Sequence, residues 1–517
     1  MALEELGRTR SAASLTSRLQ SELTQRPSAA VAVLCAVQLI LWTGVPALVS
    51  HSLPLDVIEG YLWGREWVIA TYKHPALPSW VLEISRIVTG RIGWPAYLVS
   101  QLFICATFAI IYGFGRDIMD ARSGAAAAFL STGIFFFTWS SPEFNHNVAQ
   151  MPFWIGFVWA LWRATRSTRI MPWLVTALMA IVCLYTKLSC AILLLAGGIW
   201  ILWEPTARKS LATPGPWCSA ALFLVAAAPL FDWLWGNDFL PLDYAERRAN
   251  SAHAVTIPSF LLGQLGRHIG FFALLACAGL IWDWRIFGPE RKPPLDPAQA
   301  AVRRYLFFMA GAPLVILLLI AATTGMHLKT AWTASMATLS GLVAVCLLQS
   351  RLTSLTYRRL VSASFALTLV VVTIYALDAV VGTRAEERYR PQQSAWPAGA
   401  IADAASAAWA RATPLPLRIV IGETRIAGYA ALKAGSLPSL MTDGDLVRSP
   451  WITPERLQRQ GALLVWAEPG GFPGERMRKM AAGRAIEHVA IPWPMTGLRA
   501  QKRPPLNLYL SVLPPAP

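Results

Sequence analysis

Long apolar segments dominate the first 380 residues of the chain. Eleven of them approach the roughly 20 residues that an α-helix needs to cross a bilayer. They fall at about 29–50, 94–114, 123–141, 146–162, 171–186, 189–203, 216–235, 258–284, 305–323, 331–350 and 359–381. Hydrophobic residues make up 55% of the chain and charged residues only 14%. We therefore expect a polytopic α-helical membrane protein with about eleven spans, since only helices satisfy their own backbone in such segments.

The basic residues indicate how the segments are oriented. The net charge of +16 could point to nucleic acid, but the Arg and Lys residues concentrate in short loops between apolar runs, so no nucleic-acid partner is expected. Residues 1–28 and alternate loops hold about nineteen of them. The short loops of the other set hold only Lys187, Arg247, Arg248 and Lys329. The positive-inside rule then predicts a cytoplasmic tail at 1–28 and, with an odd number of spans, a periplasmic C-terminus on the same side as loop 51–93.

The composition changes after about residue 382. The region becomes more polar and Pro-rich, and its apolar runs are too short to span a membrane. Strands are predicted at 417–422, 462–468, 486–493 and 506–512, and helices at 423–434 and in the stretch PERLQRQG. Alternating strands and helices indicate a small α/β domain at 383–517, which follows a membrane domain at 29–382.

The loop after the first apolar segment, HSLPLDVIEGYLWGREWVIATYKHPALPSW, gathers polar residues near the start of the chain. Pro54 suits the beginning of a helix, and a helix over 53–67 places Asp56 and Glu59 on one face. The helix dipole favours carboxylates there, so both are expected to be ionised. Apolar residues at helical spacing predict a helix on the membrane surface, with the two carboxylates on its polar side. Such a pair is often no more than a solvated acidic face.

Other polar residues fall on the same predicted outer side. They are Lys73, His74, Glu143, His146, Arg247, Arg248, His327 and Lys329. Lys187 interrupts a stretch that is otherwise largely apolar, where a lysine usually has a partner or a ligand, unless its ammonium simply reaches the interface. Cations suit a substrate phosphate, and a carboxylate suits an acceptor hydroxyl that must lose a proton.

These motifs resemble those of the GT-C superfamily of membrane glycosyltransferases. The bacterial branch of protein O-mannosyltransferases and lipid A aminoarabinose transferases is the most similar. Its members carry an Asp/Glu-bearing outer loop after the first span, then a Lys/His-Pro-Pro-Leu-like motif and an aromatic residue. The matching residues are Asp56, Glu59 and Lys73-His74-Pro75-Ala76-Leu77-Pro78-Ser79-Trp80, with Ala76 in place of the second proline. Lys187 and the stretch Lys329-Thr330-Ala331-Trp332 also match, so the resemblance covers most of 29–350.

The resemblance implies a polyprenyl-phosphate sugar donor, a periplasmic active site and inversion at the anomeric carbon. It implies that Asp56 is the general base or orients the acceptor, and that Glu59 supports Asp56 or helps to hold a metal. The candidate donor-phosphate ligands are Lys73, His74, Lys187, Lys329, Arg247 and Arg248. The candidate acceptor or accessory residues are Glu143, His146 and His327. Some relatives use a divalent metal and others do not, so metal use stays open, and the seven cysteines lack metal-ligand spacing.

We therefore expect a hexosyl- or pentosyltransferase of a bacterial inner membrane. It would act in the cell envelope, as in lipopolysaccharide modification, on a lipid, glycan or protein acceptor. A transporter or flippase of lipid-linked sugars would need polar residues near mid-membrane and repeated halves, and neither is evident in the sequence. A polymerase that uses the same lipid-linked substrates stays open, as does a non-enzymatic scaffold whose outer domain binds a partner.

Overall fold

The computed structural model describes Glu22 and residues 24–250, 255–281, 296–381, 395–468, 474–494 and 504–516. Most of the predicted tail at 1–28 lies outside the described residues. The same holds for the basic residues Arg285, Arg291 and Lys292, on which part of the predicted orientation rests.

Helices fill the first part of the chain, as the apolar segments predict. They are α1 (Pro27–Val49), α2 (Leu55–Gly64), α3 (Leu77–Thr89), α4 (Trp94–Ile118), α5 (Ala121–Ser131), α6 (His146–Ala164), α7 (Met171–Thr186), α8 (Cys190–Trp203), α9 (Pro205–Arg208), α10 (Pro214–Gly236), α11 (Leu240–Ala249), α12 (Ile257–Arg267), α13 (Ile269–Cys277), α14 (Pro297–Thr324), α15 (Ser340–Leu348) and α16 (Ser354–Val381). Short 3-10 turns lie at Phe135–Phe137, Lys209–Ala212, Thr330–Thr333, Met336–Leu339 and Gln349–Arg351. Many helices begin at or beside a proline, whose missing N–H is not needed in the first turn.

Several of these helices have the length and composition of membrane spans. Among the described residues, α1, α4, α10, α14 and α16 each have at least 18 residues and a strongly apolar window. Two bent pairs, one that begins with α8 and one made of α12 and α13, bring the number to seven if each is one span. The apolar helix α7 is shorter. The predicted count of about eleven spans therefore stays a prediction, although each apolar segment does contain helix.

The third apolar segment, 123–141, is not one continuous helix. Its helix α5 ends at Ser131, and the chain then turns through the 3-10 turn at Phe135–Phe137. Gly133 explains the break, because its backbone contacts the backbone around Gly270. A Cβ at Gly133 would lie 2.4 Å from the backbone nitrogen of Phe271, so only glycine permits this approach.

The C-terminal unit (residues 395–468, 474–494 and 504–516) contains one mixed sheet with helices. Its helices are α17 (Ala398–Ala412), α18 (Thr424–Lys433), α19 (Pro454–Gln460) and α20 (Glu475–Ala481), and its strands are β1 (Ile419–Gly422), β2 (Ser439–Thr442), β3 (Ala462–Glu468), β4 (Glu487–Ile491) and β5 (Leu506–Leu513). The strand order is β2-β1-β3-β5-β4. β1 pairs in parallel with β2 and β3, whereas β5 pairs antiparallel with β3 and β4. The four predicted strands and two predicted helices are confirmed; β2, α17 and α20 were not predicted. The domain boundaries and the periplasmic side stay predictions.

The apolar core of the helical part continues into the C-terminal unit through α18 and α2. The contact is close: a Cβ at Gly428 would lie 2.5 Å from Cγ2 of Ile58 and 3.2 Å from Cδ1 of Leu62. Beside it, the hydroxyl of Tyr429 donates a hydrogen bond of 3.2 Å to the carbonyl of Leu53. The C-terminal unit therefore lies directly on the loop that the sequence singles out.

Candidate functional site

The loop after α1 folds around α2, and this helix is buried rather than exposed. Eight of its ten residues are buried, including Glu59, which is 3% exposed. The prediction that the acidic side of this helix is solvated is therefore wrong for Glu59, whereas the position of the helix at the membrane surface stays a prediction. The physical reason is α18, which packs on α2 and lies more than 350 residues later in the chain. Asp56, near the start of α2, is only half-buried.

Glu59 forms an enclosed ion pair with Lys73, whose Nζ donates a hydrogen bond to Oε1. The side chains are 4% and 14% exposed, respectively. The rings of Trp63, Tyr72 and Tyr244 surround the ammonium, with centroids 5.7, 5.5 and 5.3 Å from Nζ. Burial disfavours the charged lysine, but Glu59 and the two tyrosines outweigh it, so the pKa of Lys73 lies above its usual value. Lys73 stays charged, and Glu59 largely balances that charge.

Lys187 is a second enclosed cation, 9% exposed, where α7 ends. Its Nζ donates a hydrogen bond of 2.6 Å to Oδ1 of Asn147, which is neutral. Its backbone carbonyl accepts from Nε2 of Gln150 at 3.2 Å, and Gln150 Oε1 accepts from the hydroxyl of Ser335 at 3.0 Å. In the described part of the chain no carboxylate forms an ion pair with Lys187, although the charge of Asp56 acts on it. Its positive charge is therefore left for an anionic ligand.

The two histidines His74 and His146 lie against each other between these cations, with ring centroids 4.2 Å apart. Burial, then the neighbouring His146 and the charges of Lys187 and Lys73, hold the pKa of His74 well below its usual value. His146 is the first residue of α6, and the side chain of Asn145 caps this helix. The imidazole of His74 is therefore neutral at pH 7.

Asp56 and Glu143 bring two carboxyl groups to the start of α2. The carboxyl of Glu143 accepts a hydrogen bond from the backbone N–H of Asp56, in a helix whose N-cap side chain makes no capping bond. Burial and then the charge of Asp56 raise the pKa of Glu143 to about 8, against the opposing effect of Arg425. Arg425 comes from α18 of the C-terminal unit, where its guanidinium lies 5.4 Å from the ring centroid of Trp396.

Comparisons with known proteins identify the fold that carries these residues. Residues 73–233 match the family described as dolichyl-phosphate-mannose-protein mannosyltransferase. The structure is similar to that of ArnT from Cupriavidus metallidurans bound to undecaprenyl phosphate, with a TM-score of 0.61 and 14% identity over 93% of this chain and 97% of that one. The chain has the GT-C fold.

The same ArnT in its apo state gives a similar result, with a TM-score of 0.59 and 13% identity over 94% of this chain and 98% of that one. No curated protein matches the chain in sequence. The resemblance to the GT-C superfamily, on the side of ArnT and the protein mannosyltransferases, is thereby confirmed. Together with its apolar helices, this fold makes the chain a multi-pass membrane protein.

The other predicted site residues are Arg247, Arg248, His327 and Lys329; the polar cluster is formed by Asp56, Glu59, Lys73, His74, Glu143, His146 and Lys187. Arg248 is exposed on α11 but lies close enough to act on Tyr244 and on Lys329. Burial and the charge of Arg248 lower the pKa of Lys329, which lies beside the 3-10 turn at Thr330–Thr333. Arg247 and His327 are exposed, and in the described residues the structure gives neither a contact with the cluster.

Sequence reasoning did not identify which residues of the C-terminal unit reach the cluster. Arg425 approaches Glu143, and Arg448 lies 5.4 Å from the ring centroid of Tyr72. Arg448 itself pairs with Asp443 at 3.1 Å, a residue on which the charge of Lys73 also acts. Asp443 has φ of 52° directly before Gly444, and this turn after β2 brings the pair over the loop. No local sequence motif predicts such contacts, because they depend on how α18 and β2 pack against the helical part.

In the part of the chain described here, no three His, Cys, Asp or Glu side chains are placed so that together they could hold a metal ion. The arrangement instead combines a cation with two carboxyl groups. Lys187 has no ion-pair partner among the described residues, although the charge of Asp56 acts on it, and Glu143 lies beside Asp56. Such a site can hold a phosphate at the cation and take a proton from a hydroxyl at a carboxylate.

Proposed function

We propose that this protein is an integral-membrane glycosyltransferase that moves a sugar from a polyprenyl-phosphate donor to a hydroxyl of a lipid, glycan or protein acceptor, with inversion. The observation that carries the proposal is the placement of the enclosed cation Lys187 and the carboxylate Asp56 within electrostatic range of each other. The match of 73–233 to a mannosyltransferase family and the GT-C fold support the class of reaction.

The donor phosphate binds at Lys187. Among the described residues the hydrogen-bond partner of this ammonium is neutral, so an anion there offsets the cost of an enclosed charge. Lys73 contributes less, because Glu59 already balances it, and its ammonium serves mainly to fix the loop. The similarity to ArnT bound to undecaprenyl phosphate supports a lipid-linked phosphate as the ligand.

The transfer is a single displacement. Asp56 takes the proton of the acceptor hydroxyl as its oxygen forms a bond to the anomeric carbon. On the opposite face the bond from that carbon to the phosphate oxygen breaks, and the electron pair leaves with the polyprenyl phosphate. Lys187 stabilises the negative charge that develops on this leaving group.

The architecture belongs to the same proposal. A cytoplasmic tail at 1–28 precedes a catalytic membrane domain at 29–382, and a periplasmic domain at 383–517 covers the site. The lipid tail of the donor lies among the helices in the inner membrane, and the acceptor enters from the periplasm beneath the C-terminal unit. Both substrates then meet at the outer ends of the spans.

Transfer of label tests the proposal. Membranes that contain the protein are supplied with a periplasmic extract and a panel of radiolabelled polyprenyl-phosphate sugars. We expect label to leave the lipid with the wild type, and Asp56→Asn to abolish transfer while the protein stays folded and inserted. Asp243→Asn, an exposed carboxylate on α11, is the matched control and should retain activity.

Each alternative gives a different result in this assay. Label that crosses the bilayer with the sugar–lipid bond intact would establish a transporter or flippase. Label that accumulates in lengthening glycan chains would establish a polymerase that uses the same donors. Near-wild-type transfer by Asp56→Asn would refute the role of Asp56, and the absence of any transfer or transport would refute the donor class.

A further inference from the structure

The segment 143–147 joins the two sides of the proposed reaction. Its first residue, Glu143, accepts a hydrogen bond from the backbone of Asp56, and its last, Asn147, holds Lys187. A sugar whose phosphate lies at Lys187, and which is attacked by a hydroxyl held at Asp56, must lie between these two groups. The side chains of this short segment are therefore the nearest candidates to contact the sugar.

Within that segment His146 is 7% exposed and yet has an unused ring nitrogen. Its ring donates a hydrogen bond to the backbone carbonyl of Pro75, while Nε2 is buried and has no hydrogen-bond partner in the described residues. A carbonyl can only accept, so the hydrogen is on Nδ1. In the neutral ring Nε2 then carries a lone pair and acts as an acceptor.

Among the residues that the structure describes, no group donates a hydrogen bond to this lone pair. His74 lies against the ring in a tilted arrangement, and the hydrogen bond of Lys187 Nζ goes to Asn147 rather than to His146 Nε2. Buried polar atoms of folded proteins nearly always have a partner, so an acceptor left open beside a ligand-binding cation points to a hydrogen-bond donor on the ligand. A bare phosphate dianion has no such donor, whereas a sugar hydroxyl or amino group does.

We propose that His146 recognises the sugar of the donor, by accepting at Nε2 a hydrogen bond from a sugar hydroxyl or amino group. The inference rests on the proposed function, since it requires a phosphate-linked sugar at Lys187. It assigns to His146 a part in choosing the sugar, separate from phosphate binding. It also implies that a donor analogue lacking that one hydroxyl or amino group binds no more tightly than the bare polyprenyl phosphate.

Binding measurements separate recognition of the sugar from binding of the phosphate. The purified full-length protein in nanodiscs is titrated with undecaprenyl phosphate and with its mannosyl, glucosyl and aminoarabinosyl conjugates. The wild type should bind at least one conjugate more tightly than the bare phosphate. His146→Phe and His146→Met both remove the acceptor, and each should reduce that preference about tenfold while binding of undecaprenyl phosphate is unchanged.

Two further variants keep the test decisive. His146→Gln places an amide near both Pro75 and the sugar, so it should keep part of the preference even if the apolar variants fold poorly. Lys187→Met should weaken binding of the bare phosphate and of the conjugates alike. If the preference survives in His146→Phe or His146→Met, or if Gln offers no advantage over Met, the inference is wrong and the proposed function stands. Equal loss for both classes of ligand would also overturn it, and a wild type that binds neither class would overturn both proposals.

Discussion

Lys187 and Asn147 form a hydrogen bond of 2.6 Å between an enclosed ammonium and a neutral carboxamide oxygen. A carboxylate at that position would form an ion pair, as Glu59 does with Lys73. The two lysines of the cluster therefore differ in the charge that they can offer to a ligand. This difference makes the roles of the lysines testable by isosteric changes.

Asn147→Asp should weaken donor binding without unfolding the protein. The new carboxylate would balance Lys187, so affinity for a polyprenyl phosphate should fall at least about tenfold, or about 1.4 kcal/mol. Stability should be unchanged or higher, because an acidic residue in the first turn of α6 suits the helix dipole. Titration with undecaprenyl phosphate measures the effect. Asn507→Asp on β5 adds the same charge elsewhere and should leave affinity as it is; equal affinities of wild type and Asn147→Asp would refute the role of Lys187.

Lys73→Met should destabilise the protein because it leaves Glu59 enclosed without its partner. Removal of one member of such a pair typically costs about 3–5 kcal/mol. The double variant Lys73→Met/Glu59→Gln should recover most of this loss, since no lone charge remains. Thermal unfolding in detergent measures both. Breaking the exposed pair of Lys479 and Glu475, whose side chains are each 76% exposed, should change stability by no more than about 0.5 kcal/mol. A similar small effect for Lys73→Met would show that the pair is not enclosed.

Glu143 should make stability depend on pH. Burial and Asp56 raise its pKa from 4.5 to about 8 in the folded chain. Between these values the folded state binds more protons than the unfolded chain, so the contribution of Glu143 to stability falls as the pH rises. Glu143→Gln cannot titrate. Its melting temperature relative to the wild type should therefore increase from pH 5 to pH 9.

Arg425→Met tests whether this dependence of stability on pH comes from the pKa of Glu143. The cation of Arg425 opposes the rise in the pKa of Glu143, so in Arg425→Met the pH range over which Glu143 makes stability fall should extend to higher pH than in the wild type. A constant difference in melting temperature between Glu143→Gln and the wild type across pH 5 to pH 9 would mean that Glu143 titrates normally.

Gly428→Ala should loosen the C-terminal unit from the loop around α2. The added methyl group would lie 2.5 Å from Cγ2 of Ile58, and overpacking of this kind costs about 1–3 kcal/mol. Ile58→Ala removes that atom and should rescue the variant. Gly435→Ala, where nothing lies within 4 Å, is the matched control. Melting temperature and transfer activity are the readouts, and a Gly428→Ala protein as stable as the control would contradict the contact.

The sequence predicted well what depends on local pattern. Apolar runs bounded by polar residues placed β3 correctly and β1, β4 and β5 within a few residues, because alternation and strand propensity are local properties. β2 was missed because its four residues, SLMT, are too few to show a period. The break after Ser131 was missed because it depends on a contact between Gly133 and Gly270, which are far apart in the chain.

The candidate site also has features that the sequence predicted and features that it did not. The family resemblance and the common predicted side of Asp56, Glu59, Lys73 and Lys187 indicated that they belong together, and the structure pairs Glu59 with Lys73 and brings the charge of Asp56 within range of Lys187. Their roles stay predictions. The burial of Glu59 was not predictable from the loop, since α18 causes it.

The packing of Gly428 on Ile58 also has a consequence for the order in which the parts of the chain fold during synthesis. The ribosome makes α2 among the first elements of the chain, while α18, which covers it, comes some 360 residues later. Until then the apolar side of the loop has no cover, and Glu143 has no Arg425 beside it. A nascent chain can therefore form its first helices long before the loop around α2 is covered, so the site proposed here is complete only after the last part of the polypeptide has folded onto it.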